Sequence, residues 1–77
     1  MNKDRRAQLL EIQSELEGLK ERLESLQQEE QDYYDNMPES FQGGEKGDKA
    51  QEAIDAMENC VSSIDDAVVG IGEVVEA

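Results

Sequence analysis

Leu9, Ile12, Leu16, Leu19, Leu23 and Leu26 recur at alternating intervals of three and four residues, and Glu30, Tyr33 and Met37 continue the phase. A helix brings such positions onto one side, whereas a strand, with its period of two, scatters them over both faces. The spacing is a heptad with Leu9 at a and Ile12 at d, sustained for four repeats. The intervening residues are Glu, Gln, Lys, Arg and Ser, mostly good helix formers. Asn2 or Asp4 can cap the start with a side-chain oxygen. Asn36 can take the left-handed conformation that ends a helix, and Pro38 disfavours helix at Met37. A first helix is expected over about residues 3–36.

Residues 37–47 hold one proline and three glycines, which marks them as a connection. Asp48 can cap a second helix, with Gln51 completing a capping box, so that helix is expected over about residues 48–76. Its apolar positions, Ala50, Ile54, Met57, Val61, Ile64, Val68, Ile71 and Val75, are again spaced four and three. Ala53, Cys60, Ala67 and Val74 add a parallel stripe at g, every seven residues. The second helix is thus apolar on a, d and g, a broader face than the a/d seam of the first. Gly70 and Gly72 each cost helix stability by about 1 kcal/mol relative to alanine, so residues 70–77 are expected to fray unless packing holds them.

These features predict an all-α, coiled-coil-like antiparallel hairpin that forms one unit over residues 1–77. The two seams would pair, placing Leu23 near Ile64, Leu16 near Ile71 and Ile12 near Val75. Leu16, Leu19, Leu23 and Leu26 are the expected core of one helix, and Ile54, Met57, Val61, Ile64, Val68 and Ile71 that of the other. A two-helix contact leaves the g stripe, with Cys60 and Ala67, uncovered. The simplest cover is a second copy, giving a dimeric four-helix bundle or a higher oligomer. A chain of 77 residues also has little capacity for an independent core. Its single cysteine, Cys60, permits no internal disulfide, and it has no histidine to build a zinc site.

Charge narrows the function classes. Twenty acids against seven bases give a net charge of −13. Residues 1–22 balance five bases against five acids, so the whole excess lies on residues 23–77. Such a surface repels nucleic acid and anionic membranes and attracts basic partners. No apolar run approaches the roughly 20 residues of a membrane span. Met1 to Arg6 lead into polar helix rather than a hydrophobic signal segment, and the lone cysteine suits a reducing compartment. A cytoplasmic protein is expected, in a bacterial host if phage-encoded.

The candidate motifs have mostly plain readings. Glu29, Glu30, Asp32 and Asp35 cluster late in the first helix, and Asp65 adjoins Asp66. A general acid/base pair would need a pocket to separate two carboxyl pKa values, and two thin helices offer none. No calcium loop is present, because no acidic ligands alternate around a glycine. Gly43, Gly44, Lys46 and Gly47 lack the order of a phosphate loop. Glu30 interrupts the seam at a, favoured as a wet position where the helix leaves the bundle axis. Tyr33 would continue the seam and Tyr34, at e, would face outward, with Phe41 and Met37 closing the hairpin over Ala50 and Ile54. Cys60 reads as a small packed residue rather than a reactive thiol. No catalytic residue, cofactor or metal is expected.

The acidic stripe of Glu52, Asp66 and Glu73 at f, flanked by Asp55, Glu58 and Asp65, reads either as a solubilising face or as a mimic of nucleic acid. The second helix should be on the order of 45 Å long at roughly 1.5 Å per residue. A side-by-side dimer would place twenty-six net charges on it, about one per 1.7 Å, as in duplex DNA.

Residues 28–40, QEEQDYYDNMPES, and the following FQGGEKGDKAQEAIDAMENCVSSIDDAV resemble small acidic helical proteins of phages and prophages of gut and Gram-positive bacteria. That resemblance covers most of the chain and implies a setting rather than a mechanism. Compact acidic phage proteins often inhibit host defence enzymes by occupying their nucleic-acid sites. The favoured function is therefore a non-catalytic protein-binding module of that inhibitory kind, acting on a basic host protein and on no nucleic acid or membrane directly. Asp32, Tyr34, Asp35 and Glu39 at the hairpin tip and Glu52, Asp55, Glu58, Asp65 and Asp66 along the second helix are the expected contacts. A self-assembling structural bundle, acidic only for solubility, is one alternative. An oligomeric sponge for a small signalling molecule, held near Arg5, Arg6 and Arg22, is the other.

Overall fold

Asn2 starts the first helix: its extended backbone turns the side-chain oxygen onto the Arg5 N–H, which donates to it at 2.8 Å. That bond satisfies one of the free donors at the helix start. In the computed structural model, which describes every residue from Met1 to Ala77, helix α1 spans Lys3–Asp35, a single turn α2 spans Glu39–Gln42, and helix α3 spans Glu45–Glu76. The long helices pack antiparallel into a hairpin measuring 58 × 15 × 12 Å between Cα atoms. No helix is long and apolar enough to cross a membrane.

Three local readings are corrected. Asn36 closes α1 without a left-handed residue: its φ is −88°, and both its backbone N–H and its side-chain amide donate to the Asp32 carbonyl. The connection is shorter than residues 37–47, because α2 folds within it. Asp48 does not cap α3. The helix opens at Glu45 behind Gly44, and the Asp48 N–H donates to the Gly44 carbonyl from inside the first turn.

Gly47 explains why helix is tolerated so early. The α2 turn lies so close over α3 that a Cβ at Gly47 would collide with the backbone of Gln42. The Gln42 side chain meanwhile donates to the Tyr34 carbonyl at 3.0 Å, tying α2 to the end of α1. Near this end lie Gly47, Ala50 and Ile54, the buried residues of the chain. The core is thus confined to the loop end, and the rest of the helix contact is half-buried.

The seam itself differs from the expected one. On α1 the half-buried positions are Arg6, Leu9, Gln13, Leu16, Lys20, Leu23, Gln27, Glu30, Gln31 and Tyr34, which apart from Gln31 at b are a and e rather than a and d, and Met37 just beyond the helix continues the a row. The d residues Ile12, Leu19, Leu26 and Tyr33 are 46%, 46%, 54% and 53% exposed. Hence Ile12 stays about half exposed, Tyr34 turns inward instead of outward, and Tyr33 faces solvent. Glu30 is half-buried rather than wet. Polar pairing at e accompanies this roll. Lys20 bridges to Asp65 at 2.7 Å, and Gln13 donates to the Val68 carbonyl at 2.9 Å. Both bonds lie on the e side of α1, which faces α3, while the d side is turned away. On α3 the expected a and d residues do face α1, Met57, Val61, Ile64, Val68, Ile71 and Val75 being half-buried. Helix continues through Gly70 and Gly72 to Glu76, with Gln13 against Gly72.

Gly47→Ala should therefore destabilise the hairpin by about 1–3 kcal/mol despite alanine's higher helix propensity. Gly18→Ala, where a Cβ meets nothing within 4 Å, should stabilise it by up to about 1 kcal/mol. Thermal unfolding of both variants checks this. Equal effects of the same sign would contradict the close α2–α3 contact.

Candidate interaction surfaces

The rolled seam gives the hairpin two unlike sides. Lys20, Gln13, Asp65 and Gly72 all occupy e, so the e positions of α1 and α3 share one side. There a shallow groove of about 270 Å³ is lined by Glu17, Lys20, Glu21, Glu24, Asp65 and Val68. Lys20 is the one base among four lining carboxylates. Its pKa is held above the ordinary lysine value, chiefly by the hydrogen bond to Asp65, with the charges of Asp65, Glu24 and Glu17 adding to it against some desolvation.

On the opposite side the d residues of α1 lie beside the g residues of α3. A groove of about 310 Å³ between Leu19, Arg22, Leu23, Leu26 and Ile64 runs along it. Cys60, Ala67 and Val74 are exposed here, so Cys60 is not packed within the hairpin. The c positions continue the pattern. Ala53, Ala56, Cys60, Ser63, Ala67, Gly70 and Val74 alternate three and four, a second seam made of small residues. The Ser63 hydroxyl donates to the Asn59 carbonyl of its own helix at 3.0 Å, so it brings no unmet polar group. Every acid of α3 stands at b, e or f, and none at a, c, d or g.

At the loop end of this same side, Tyr33, Asn36, Met37, Pro38, Phe41 and Lys46 line an open depression of about 420 Å³. The Lys46 ammonium sits 5.3 Å from the Phe41 ring centre, a cation–π contact. Phe41 is 49% exposed, so it does not close as a lid over Ala50 and Ile54.

The sequence-derived contact residues do not form one patch. Asp32 and Asp35 are exposed, and each carboxylate accepts from a glutamine one turn earlier, Gln28 at 3.0 Å and Gln31 at 2.9 Å. Glu39 is exposed on α2, while Tyr34 is half-buried with its carbonyl occupied by Gln42. Glu52, Asp55, Glu58 and Asp66 are exposed along the outer side of α3. Asp65 stands apart, since Lys20 already neutralises it. Among the expected core residues, Leu19, Leu26, Cys60 and Ala67 are exposed in the single hairpin, whereas Leu16 and Leu23 pack against α3. Arg5 and Arg22 line separate grooves, so the arginines do not converge on one anion site. No three carboxylate or thiol groups gather in a metal-ligand geometry.

Compared with known protein families, curated proteins and solved structures, the chain matches none.

Lys20→Met should lower the thermal midpoint at neutral pH. A lysine whose pKa is raised on folding contributes its stability below the unfolded value of 10.5 and loses it as pH rises through the folded one. The gap between Lys20→Met and the parent should therefore hold to about pH 10 and close above it. A gap that is unchanged in strongly alkaline solution would mean that Lys20 acts through packing of its stem alone.

Proposed function

We propose that the chain is a non-catalytic protein-binding module that works as a self-associated helical bundle and applies its acids to a basic surface of a partner. The observation that carries this reading is the segregation of charge on α3. Acids occupy b, e and f throughout, while the adjoining g and c positions hold only Lys46, Lys49 and small or apolar residues. A helix that is acidic merely for solubility has no need to keep one side free of acid. Segregation lets one side associate while the other keeps its charge concentrated.

The partner surface that this chemistry selects is one built for polyanions, such as the nucleic-acid site of an enzyme. Two chains carry twenty-six net negative charges over the 58 Å length of the hairpin. That is about one charge per 2.2 Å, somewhat below the one per about 1.7 Å of duplex DNA. The longer observed span lowers the density relative to the sequence-based figure. The phage-like stretch Gln28–Ser40 suggests a host defence protein as the target. Glu52, Asp55, Glu58 and Asp66, with Asp32, Asp35 and Glu39 at the tip, are the exposed acids that would make the contact, Asp32 and Asp35 while also accepting from Gln28 and Gln31.

Binding of the chain to an immobilised basic nucleic-acid-binding protein should weaken at least tenfold between about 50 and 200 mM salt. Joint replacement of Glu52, Asp55, Glu58 and Asp66 by the amides should weaken it by a similar factor. Asp65 is left intact, to keep the Lys20 bridge. Binding that ignores both salt and the amide variant would overturn the reading.

A further inference from the structure

We infer that a second copy of the chain seats on the side of the hairpin where α3 carries no acid, with the two-fold axis along the helices and both loops at the same end. The inference rests on the self-association proposed above and adds which surfaces meet and in what register.

Three observations carry it. The first is area. A folded monomer of 8.6 kDa is expected to expose roughly 4,700 Å². This hairpin exposes 5621 Å². The excess of roughly 900 Å² is close to the ~800 Å² that each partner gives up in a standard interface. The side in question measures 58 by 15 Å between Cα atoms and can supply it.

The second is charge. In a chain of net charge −13, contact between two copies is repulsive wherever acids face one another. Along α3 the c and g positions escape this, and the only acids at g on α1 are Glu15 and Glu29, with Arg22 between them. The opposite side, with its carboxylate-lined groove, would oppose a second copy.

The third is shape. The Lys20–Asp65 bridge fixes the height of one helix against the other. Leu19 precedes Lys20 by one residue, and Ala67 follows Asp65 by two. Seven-residue steps in opposite chain directions then bring Leu26 level with Cys60, Ile12 with Val74, and Tyr33 with Ala53. Large side chains thus line one helix and small ones the other, at matched heights on one side. A two-fold axis along the hairpin preserves height and exchanges the helices across the interface. Each Leu or Ile then lies over the partner's small residue, Leu26 over the partner's Cys60 and Leu19 over the partner's Ala67. Every neighbouring helix pair is antiparallel, as in an up-down bundle. A perpendicular axis instead sets leucine on leucine along one helix pair and alanine on alanine along the other. Those two layers demand different helix separations within one rigid pair, because separation follows the side chains at the contact.

Cys60 makes the register measurable. Leu26→Cys, oxidised mildly at micromolar concentration, should form a disulfide with Cys60 of the other chain and run as a covalent dimer on a non-reducing gel. Ala67→Cys, which pairs with Cys60 only under the perpendicular axis, should form no dimer beyond that of the parent chain. Ala67→Asp replaces a residue exposed in the single hairpin, so it should halve the native mass, whereas Ser62→Asp on the other side should leave the mass unchanged. A dimeric parent whose cross-links come from Ala67→Cys and not from Leu26→Cys overturns this register and leaves the proposed function standing. A parent that is monomeric by native mass overturns both.

Discussion

Two helices can hide only one stripe of each other, and this chain carries more apolar surface than one stripe. Burial in the hairpin is near complete only close to the loop end, at Gly47, Ala50 and Ile54. Elsewhere each helix shields the other from one direction, which leaves side chains such as Leu16 and Val68 half in water. Hydrophobic stabilisation scales with the area removed from solvent, so half-burial along the seam contributes correspondingly less. The arrangement of polar groups, the charge pattern and the proposed assembly all follow from that shortfall.

Polar contacts decide how the shortfall is distributed. Lys20 and Gln13 each find a partner on α3, an aspartate and a backbone carbonyl, and in doing so they occupy space that leucines could have taken. The displaced residues Leu19, Leu26 and Ile12 are not scattered over the surface. They collect on the side where α3 presents Ala53, Cys60 and Ala67. A hairpin rolled this way leaves those residues about half in water. The same roll puts Glu17, Glu21 and Glu24 on the far side, where they stay hydrated around the Lys20 bridge. Attraction and repulsion are thereby assigned to opposite sides of one thin object.

The helices, their antiparallel pairing and the uncovered g stripe were legible from the spacing of Leu, Ile and Val, because that spacing is the helix period itself. The roll of α1 was not. A leucine pattern marks a and d, but it carries no information about Asp65 and the Val68 carbonyl, 45 and 55 positions away in the chain. The early start of α3 was also hidden, since Gly47 reads as a helix breaker unless the close approach of Gln42 is known. The small-residue seam could have been found. Ala56, Ser63 and Gly70 stand at the right intervals to complete Ala53, Cys60, Ala67 and Val74, yet serine and glycine do not register as hydrophobic. Candidate contact acids were legible as a group only. Their individual availability depends on partners such as Lys20, Gln28 and Gln31, which appear once the helices are built.

Cooperative stability supplied by a second chain leaves a signature that no isolated hairpin can produce. The midpoint of thermal unfolding, followed by helicity from about 1 to 100 μM protein, reports it directly, because association makes the midpoint depend on concentration. With a second chain in the folded state, the midpoint climbs steadily across that range. A single cooperative transition at the same temperature throughout would contradict it, and would show that the side bearing Leu19, Leu26 and Cys60 rests against water in the native protein.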